Sequence, residues 1–445
     1  MNVVMVGAGR VGLVAAACIA DFGVTVNCVD NQVEKIESLR SEKVPFHEPG
    51  LAELVHKNMK VGRLNFSTKL TEAVAQSLVV FIAVGTEEEN APGEPNLKPL
   101  FDVARHIARE IREYKVLVIK STVPVGTARR LATELKKETE VAFDVVSNPE
   151  FLREGSAVEN FMRPDRIVLG GASQQALAIV RDIYRPLYLI ETPIVTTTNE
   201  TAELAKYASN AFLALKISFI NEMANLADDL GVDVHDVARV LGLDKRIGPK
   251  FLHPGPGFGG SCLPKDARAL LAAGKRLGLD LPTLHGALRT NEEACAYLLE
   301  RMKRQMGDLK GHTIGVLGLA YKPLTDDVRE SPAISFVRLL LQEGTAVQAY
   351  DPVANTSAAQ AVQHERLSFC PDAHQAARGA DGIAVLTEWN EFRNLDLLEL
   401  KAVMKGRVLL DARNVFDPET VVARGFVYLG RGRGAGTSGQ STAVA

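Results

Sequence analysis

The stretch Met1-Asn2-Val3-Val4-Met5-Val6-Gly7-Ala8-Gly9-Arg10-Val11-Gly12, continued to Asp30, decides the fold of this chain. Met1–Val6 reads as an apolar strand, Gly7–Gly12 as a glycine turn, Val11–Phe22 as a small-residue helix, and Val24–Val29 as a second strand ending at Asp30. That is a β-α-β unit. In the G-x-G-x-x-G pattern, Gly7 permits the tight turn, Gly9 lets a pyrophosphate approach the backbone, and Gly12 lets helix pack on strand; free N–H groups then point at phosphate, with Val11 among them. Asp30 stands where a carboxylate accepts bonds from both ribose hydroxyls and repels a 2′-phosphate, so the cofactor expected is NAD rather than NADP. Lys35 either reaches the adenosine ribose or is a solvated helix lysine.

Outward from this unit, buried-strand patterns recur at Leu78–Val84, Lys115–Lys120, Val145–Ser147 and Ile167–Gly170, with helical patterns between several of them. From Asn199 to Leu230 the pattern becomes one long helix rich in Ala and Leu, and helical segments continue to about Gln305 without a convincing strand. After Gly311 the opening returns in degenerate form: Thr313–Leu317, a turn at Gly318-Leu319-Ala320, a helix over Ser331–Glu343, and Ala346–Tyr350 ending at Asp351. Further strands fall at Gly382–Leu386 and Val408–Leu410. The fold expected is α/β, with two Rossmann-like doubly wound domains (1–198 and 309–430) joined by a long central helix and helical connector (199–308). A Gly/Ser/Thr/Ala-rich tail, 431–445, is expected to be disordered, with Arg431 and Arg433 solvated.

Composition excludes several classes. The 445 residues suffice for about three domains, and 46% hydrophobic with 24% charged residues is ordinary globular usage. Lys and Arg number 51, Asp and Glu 54, for a net charge of −3, so neither nucleic acid nor membrane is an expected partner. No run of about 18 apolar residues spans a membrane, and no basic region precedes Val11–Ala20 as in a signal peptide. Five scattered cysteines suit a reducing cytoplasm and form neither a disulfide framework nor a metal site.

The densest chemical signal is Phe251-Leu252-His253-Pro254-Gly255-Pro256-Gly257-Phe258-Gly259-Gly260-Ser261-Cys262-Leu263-Pro264-Lys265-Asp266. Its glycines and prolines make a shaped loop without packing logic, and Pro264 suits the first turn of a helix starting there. Cys262 would then lie at a positive helix end beside Lys265, conditions that activate a thiol, whereas Cys18, Cys28, Cys295 and Cys370 read as small buried hydrophobes. Lys206 and Asn210, four apart, share a face of the long helix. The polar loop Ser147–Gly155 and Thr122, in Ser121–Gly126, lie at the carboxyl ends of strands, where such sheets bind ligands.

Together these segments resemble the UDP-glucose/GDP-mannose dehydrogenase family, through GAGRVG, STVPVGT, NPEFLREG, AKYASNAFLALKISFINE, FGGSCLPKD and AYKPLTDDVRESPA, over Met1 to about Val427. The resemblance implies oxidation of a nucleotide sugar's C6 alcohol to a carboxylate with two NAD+. It makes Cys262 the nucleophile, Lys206 and Asn210 the oxyanion stabilisers, Asp266 and Thr122 the holders of a water, and Glu154 an aid to thioester hydrolysis. It adds Thr86, Thr122, Glu154, Lys265 and Arg329 to the NAD site. It places Glu150, Phe151, Leu152, Arg153, Glu154, Phe251, Leu252, His253, Pro254, Gly255, Gly259 and Lys322 at the substrate. Arg246 matches an arginine given across a dimer interface, the long helix matches a dimer core in a homodimer or higher oligomer, and Arg413 is a further candidate at the substrate.

FLHPGPGFGGSC is most similar to the bacterial members acting on UDP-glucose; GDP-mannose and UDP-N-acetylhexosamine are the alternative substrates, and a non-catalytic nucleotide-sugar-binding regulator is the alternative class. Two departures from the family pattern stand out. Glu87 follows Thr86 where proline is usual, and Leu324 replaces a polar residue before Thr325-Asp326-Asp327.

Overall fold

The computed structural model describes residues 1–88 and 93–433. The chain divides into two compact units, Met1–Ser209 with Arg268–Ala273, and Asn210–Ala267 with Gly274–Ala445.

The first unit is an eight-stranded sheet: β1 (Asn2–Val6), β2 (Thr25–Val29), β3 (Leu64–Ser67), β4 (Val79–Ile82), β5 (Lys115–Ile119), β6 (Phe143–Ser147), β7 (Ile167–Gly170) and β8 (Ile194–Thr197). The spatial order is β3-β2-β1-β4-β5-β6-β7-β8, parallel except where β6 meets β7. Alternation in β1 divides its side chains between two cores, Val3 and Met5 with Phe81 and Val118 on one face, Val4 with Val80, Ile82 and Leu117 on the other. Helices cover both faces, which is why these strands read as unbroken apolar runs.

The second unit holds β9 (Thr313–Leu317), β10 (Ala346–Tyr350), β11 (Leu367–Phe369), β12 (Gly382–Val385), β13 (Val408–Asp411) and β14 (Val427–Gly430), ordered β11-β10-β9-β12-β13-β14. This is the 3-2-1-4-5-6 order of a dinucleotide-type sheet, and the first six strands of the other unit follow it too. The internal repeat extends to atoms. Gly7 N donates to Val29 O at 2.7 Å and Gly318 N to Tyr350 O at 2.8 Å. Ala8 N donates to Asp30 at 2.9 Å, and Leu319 N to Asp351 at 2.8 Å.

The two copies then part. A helix, Arg10–Asp21, begins at once after the first turn, whereas the second turn is followed by a loop, Tyr321–Glu330, before Ser331 caps the helix Pro332–Gln342. Leu324 in that loop has φ 63° and is exposed, a left-handed conformation that a short polar side chain tolerates better.

Four strands lie outside the sequence expectation: β3, β8, β11 and β14. All four are sheet edges. Half-exposed edge strands need only one apolar face, so their sequences lack the continuous run that reveals the central ones. Between β8 and β9 the described residues form four helices and no strand, Asn199–Leu230 (32 residues), Val234–Leu243, Leu263–Arg276 and Pro282–Met306, with a loop over 244–262.

The tail reading needs correction at its start. Arg431 is fully buried, with its guanidinium 4.7 Å from the Tyr297 ring centre and its N–H bonded to Asn414, while Arg433 pairs with Asp233. Docking of β14 against β13 carries the chain inward, so these arginines are packed rather than solvated. Residues 434–445 lie outside the described residues. Among the described residues no helix is long and apolar enough to cross a membrane.

Candidate active site

In the first unit the glycine turn has the shape its sequence implies. Gly7 has φ 101°, and a Cβ there would lie 2.5 Å from the Ala83 carbonyl oxygen; one on Gly12 would land on the Gly7 carbonyl. A Cβ on Gly9 would meet nothing within 4 Å, so that face is open. The helix Arg10–Asp21 has neither a side-chain N-cap nor an acidic first turn, which leaves its N–H groups for an anion. Asp30, at the end of β2, accepts from Ala8 N, Gln32 N and Lys35 Nζ. Burial favours its neutral form, but these three donors outweigh burial and hold Asp30 below the usual carboxylate range. The cradle fits a dinucleotide with a free 2′-hydroxyl. Asp30→Ala is expected to weaken NADH binding ~10-fold or more, the scale of a lost hydrogen bond to a charged group, and to narrow the preference over NADPH, as read by fluorescence titration.

Thr86 is buried and its hydroxyl donates to the Thr122 carbonyl at 3.0 Å, so the ends of β4 and β5 are tied together. Glu88 accepts from Gly93 N and pairs with Arg268 at 3.1 Å, so this one of the acidic residues after Thr86 has fixed partners. Glu154 lies 4.0 Å from Arg10.

Lys206 is not a solvated helix lysine. It is 3% exposed, with Nζ 3.0 Å from Glu150 Oε1 and 5.4 Å from the Phe151 ring centre. Burial opposes ionisation of Glu150, and Lys206 with the Leu152 N–H overcomes it, so the Glu150 carboxyl is held below its ordinary range. The loop carrying Glu150–Glu154 is anchored by Glu48, which accepts from Gly155 N and Ala157 N at 2.7 Å each. Beside it a cavity of about 70 Å³ is lined by Lys120, Glu150, Phe151, Arg153, Arg166 and Tyr184, among others. Burial brings the Lys120 ammonium down to about 8.

Asn210 follows Lys206 by one turn of the long helix and belongs to the second unit. Its Nδ2 donates to Asp266 Oδ2 at 2.6 Å, while Lys265 Nζ reaches Asp266 Oδ1 at 2.7 Å. Asp266 is wholly buried, and its carboxylate fixes the Asn210 amide. Cys262 is the N-cap of the helix Leu263–Arg276, partly exposed, with Sγ 3.6 Å from Ser261 Oγ. Cys18, Cys28 and Cys295 are buried as expected, and burial pushes the Cys28 and Cys295 thiols up to about 12. Cys370 departs from the expectation of burial, being partly exposed.

The loop before Cys262 does have packing logic, contrary to its sequence reading. A Cβ on Gly259 would strike the Glu330 carbonyl, and one on Gly260 would lie 2.7 Å from the Tyr321 ring. Gly260 N donates to Arg329 O at 2.9 Å, so this segment lies backbone against backbone on Tyr321–Glu330. Asn221 accepts from Gly255 N at 2.8 Å, and Asn291 bonds both Phe258 N and Phe258 O. Arg413, after β13, bonds the carbonyls of Leu386 and Tyr321, and Gly255 lies against its guanidinium. Phe251 has φ 66°, Leu252 and Pro254 are buried, and His253 is exposed. Lys322 Nζ lies 5.4 Å from the Tyr321 ring centre. Arg329 is held on both oxygens of Asp327, and Arg246, its side chain 89% exposed, pairs with Asp244.

Three family models match in chain order: the NAD binding domain over residues 1–188, the central domain over 200–293, and the UDP binding domain over 315–418. The chain belongs to the UDP-glucose/GDP-mannose dehydrogenase family. It is an NAD-dependent oxidoreductase whose substrate is a nucleotide sugar. It is 47% identical over 438 residues to UDP-glucose 6-dehydrogenase of Rhizobium meliloti (strain 1021), covering 97% of this chain and 100% of that one. It is 42% identical to UDP-glucose 6-dehydrogenase TuaD of Bacillus subtilis (strain 168), over 98% and 94%. A UDP-glucose dehydrogenase structure from the archaeon Pyrobaculum islandicum superposes with a TM-score of 0.90 at 39% identity, over 97% of each chain.

Glu203, Glu48, Asn221 and Asn291 were absent from the sequence reading. Only Glu203 carries a local signal, because Glu203, Lys206 and Asn210 follow the 3-then-4 spacing of one helix face.

Proposed function

We propose that the protein is a UDP-glucose 6-dehydrogenase that makes UDP-glucuronate through a covalent adduct on Cys262. The observation that carries this reading is the cysteine at the start of a helix, in a chain alike from end to end to enzymes of that name. Bound NAD+ supplies the hydride acceptor for each of the two oxidations and leaves as NADH.

The chain's own groups do the rest. Lys206 and Asn210 face the developing oxyanion, the first by charge and the second by an amide that Asp266 holds in place. The Cys262 thiolate adds to the C6 aldehyde, a C–S bond forms, and the oxygen takes a proton, giving a thiohemiacetal that cannot diffuse away. Loss of the C6 hydride, with the hydroxyl proton passing to the water held by Thr122 and Asp266, leaves a thioester. Water held by Thr122 and Asp266 attacks the carbonyl with Glu154 assisting, the C–S bond breaks, and the thiolate is regenerated. Glu150–Glu154, Phe251–Gly255, Gly259, Lys322 and Arg413 hold uridine and sugar, and Lys35, Thr86, Lys265 and Arg329 complete the NAD site.

Phe212, Phe219 and Leu226, seven apart on the long helix, are 60%, 43% and 51% exposed. This apolar stripe supports a homodimer core, in which Arg246 reaches the partner's sugar. A reducing cytoplasm keeps Cys262 a thiol. Each UDP-glucose oxidised should yield two NADH, measured by absorbance against UDP-glucuronate formed; a ratio of one, or turnover of GDP-mannose in preference, counts against this reading.

A further inference from the structure

Glu203 is a carboxylate buried to 3% exposure that the reaction above does not use. It lies on the long helix one turn before Lys206, and its two oxygens are committed to the loop that carries Thr122. Oε2 accepts from Gly126 N at 2.6 Å and Oε1 from Ala128 N at 2.9 Å, with Ser147 Oγ at 3.4 Å. Gly126 is in the left-handed conformation and precedes the helix Thr127–Leu135, which has no side-chain cap adjacent in sequence. Glu203 therefore caps that helix from a distance. Beside it a small cavity of about 10 Å³, the room of a single water, is lined by Ser121, Thr122, Ser147, Glu203 and Lys206, among others.

We propose that Glu203 is a positioning residue, whose ionised carboxylate fastens the Thr122 loop to the helix that bears Lys206 and so sets the spacing of those two groups. The inference rests on the roles given above to Thr122 and Lys206. A single side chain takes two backbone N–H groups from one turn, and only a carboxylate has an acceptor oxygen for each; a glutamine offers one oxygen and turns an NH2 toward the other donor. The loop is otherwise tied at its start, by Ser121 Oγ to the Val84 carbonyl and Thr86 Oγ1 to the Thr122 carbonyl, so Glu203 is the tie at its far end.

The tie is pH-sensitive. Burial raises the Glu203 carboxyl to about 7, with Glu200 adding and the two N–H groups opposing. The charged groups on the elements packed around it are Glu200 and Lys206 on its own helix, Arg129 paired with Glu200 at 3.4 Å, and Lys120 and Glu150 beyond β5 and β6. Acidification through neutrality protonates Glu203 and frees one N–H, which loosens the loop.

The test is Glu203→Gln beside the wild-type protein, assayed with UDP-glucose and NAD+ from pH 6 to 9. At pH 8 kcat should fall ~10-fold or more, as expected for a misplaced reacting group, a larger change than the rise in KM for NAD+, whose site Thr122 also joins. The wild-type limb near pH 7 should vanish in the variant, and Glu203→Asp, which keeps the charge, should recover part of kcat. Amide exchange read by mass spectrometry should quicken over residues 121–128 in Glu203→Gln. Wild-type kcat and an unchanged pH profile in the variant would overturn the proposal. So would unchanged exchange over 121–128, or a loss spread equally over kcat, NAD+ binding and melting temperature. An inactive wild-type chain counts against the substrate reading instead, and the exchange experiment still decides the role of Glu203.

Discussion

Cys262→Ser is expected to lower steady-state NADH formation from UDP-glucose by ~10³-fold or more, the scale of losing an essential nucleophile. Serine at the N-cap of Leu263–Arg276 is a good helix former at that position, so the variant should fold and bind NAD as the wild type does. It can still add to the aldehyde, but its alkoxide is a far poorer leaving group than a thiolate, so hydrolysis stalls with the sugar attached. Intact-mass spectrometry after one turnover should find the covalent species, and a rapid-quench trace should show at most a burst. Full turnover by Cys262→Ser would refute the role assigned to this thiol.

Lys206→Ala should damage both activity and stability. If Lys206 faces the substrate oxygen as proposed, removing its ammonium is expected to cost ~10²–10³-fold in kcat, by comparison with other oxyanion donors. It also leaves Glu150, 6% exposed, without the charge that sits 3.0 Å away, and breaking a buried pair from one side costs ~3–5 kcal/mol. The pH dependence separates the two effects. In the wild type the depressed carboxyl of Glu150 contributes stability above its ordinary value of 4.5, and this contribution is lost as pH falls through the folded-state value. Without Lys206, burial pushes the carboxyl up, and the stability of its neutral form is lost as pH rises from 4.5. The melting-temperature gap between variant and wild type should therefore shrink on acidification. The double variant Lys206→Met with Glu150→Gln should regain most of the stability and none of the activity. A gap independent of pH would mean that the pair is not what holds this loop.

The parts of the site legible in the sequence are those whose physics is local. Gly7, Gly9 and Gly12 can be read because a tight turn and a close helix–strand approach exclude side chains at fixed offsets, and Asp30 because it ends the next strand. Pro264 marks the helix start that puts Cys262 at an N-cap. The misreadings have the opposite character. Gly259 and Gly260 looked free of packing duty because the segment they pack on, Tyr321–Glu330, is 61 to 71 residues further along the chain. Arg431 looked solvated because nothing adjacent in the chain announces that Asn414 and Tyr297 will enclose it.

The central strands of the two sheets, the repeated turn with its terminal aspartate, and the placing of one cysteine at a helix start were decided by residues adjacent in the chain, since periodicity, turns and caps act over a few positions. The tertiary structure alone decided that Glu150 rather than solvent meets Lys206, that Asp266 is bound to Asn210, and that Glu203 holds the turn at Gly126. Those pairings join residues 56 to 77 positions apart in the chain, and a buried charge takes whichever partner the packing of sheet and helix leaves within reach.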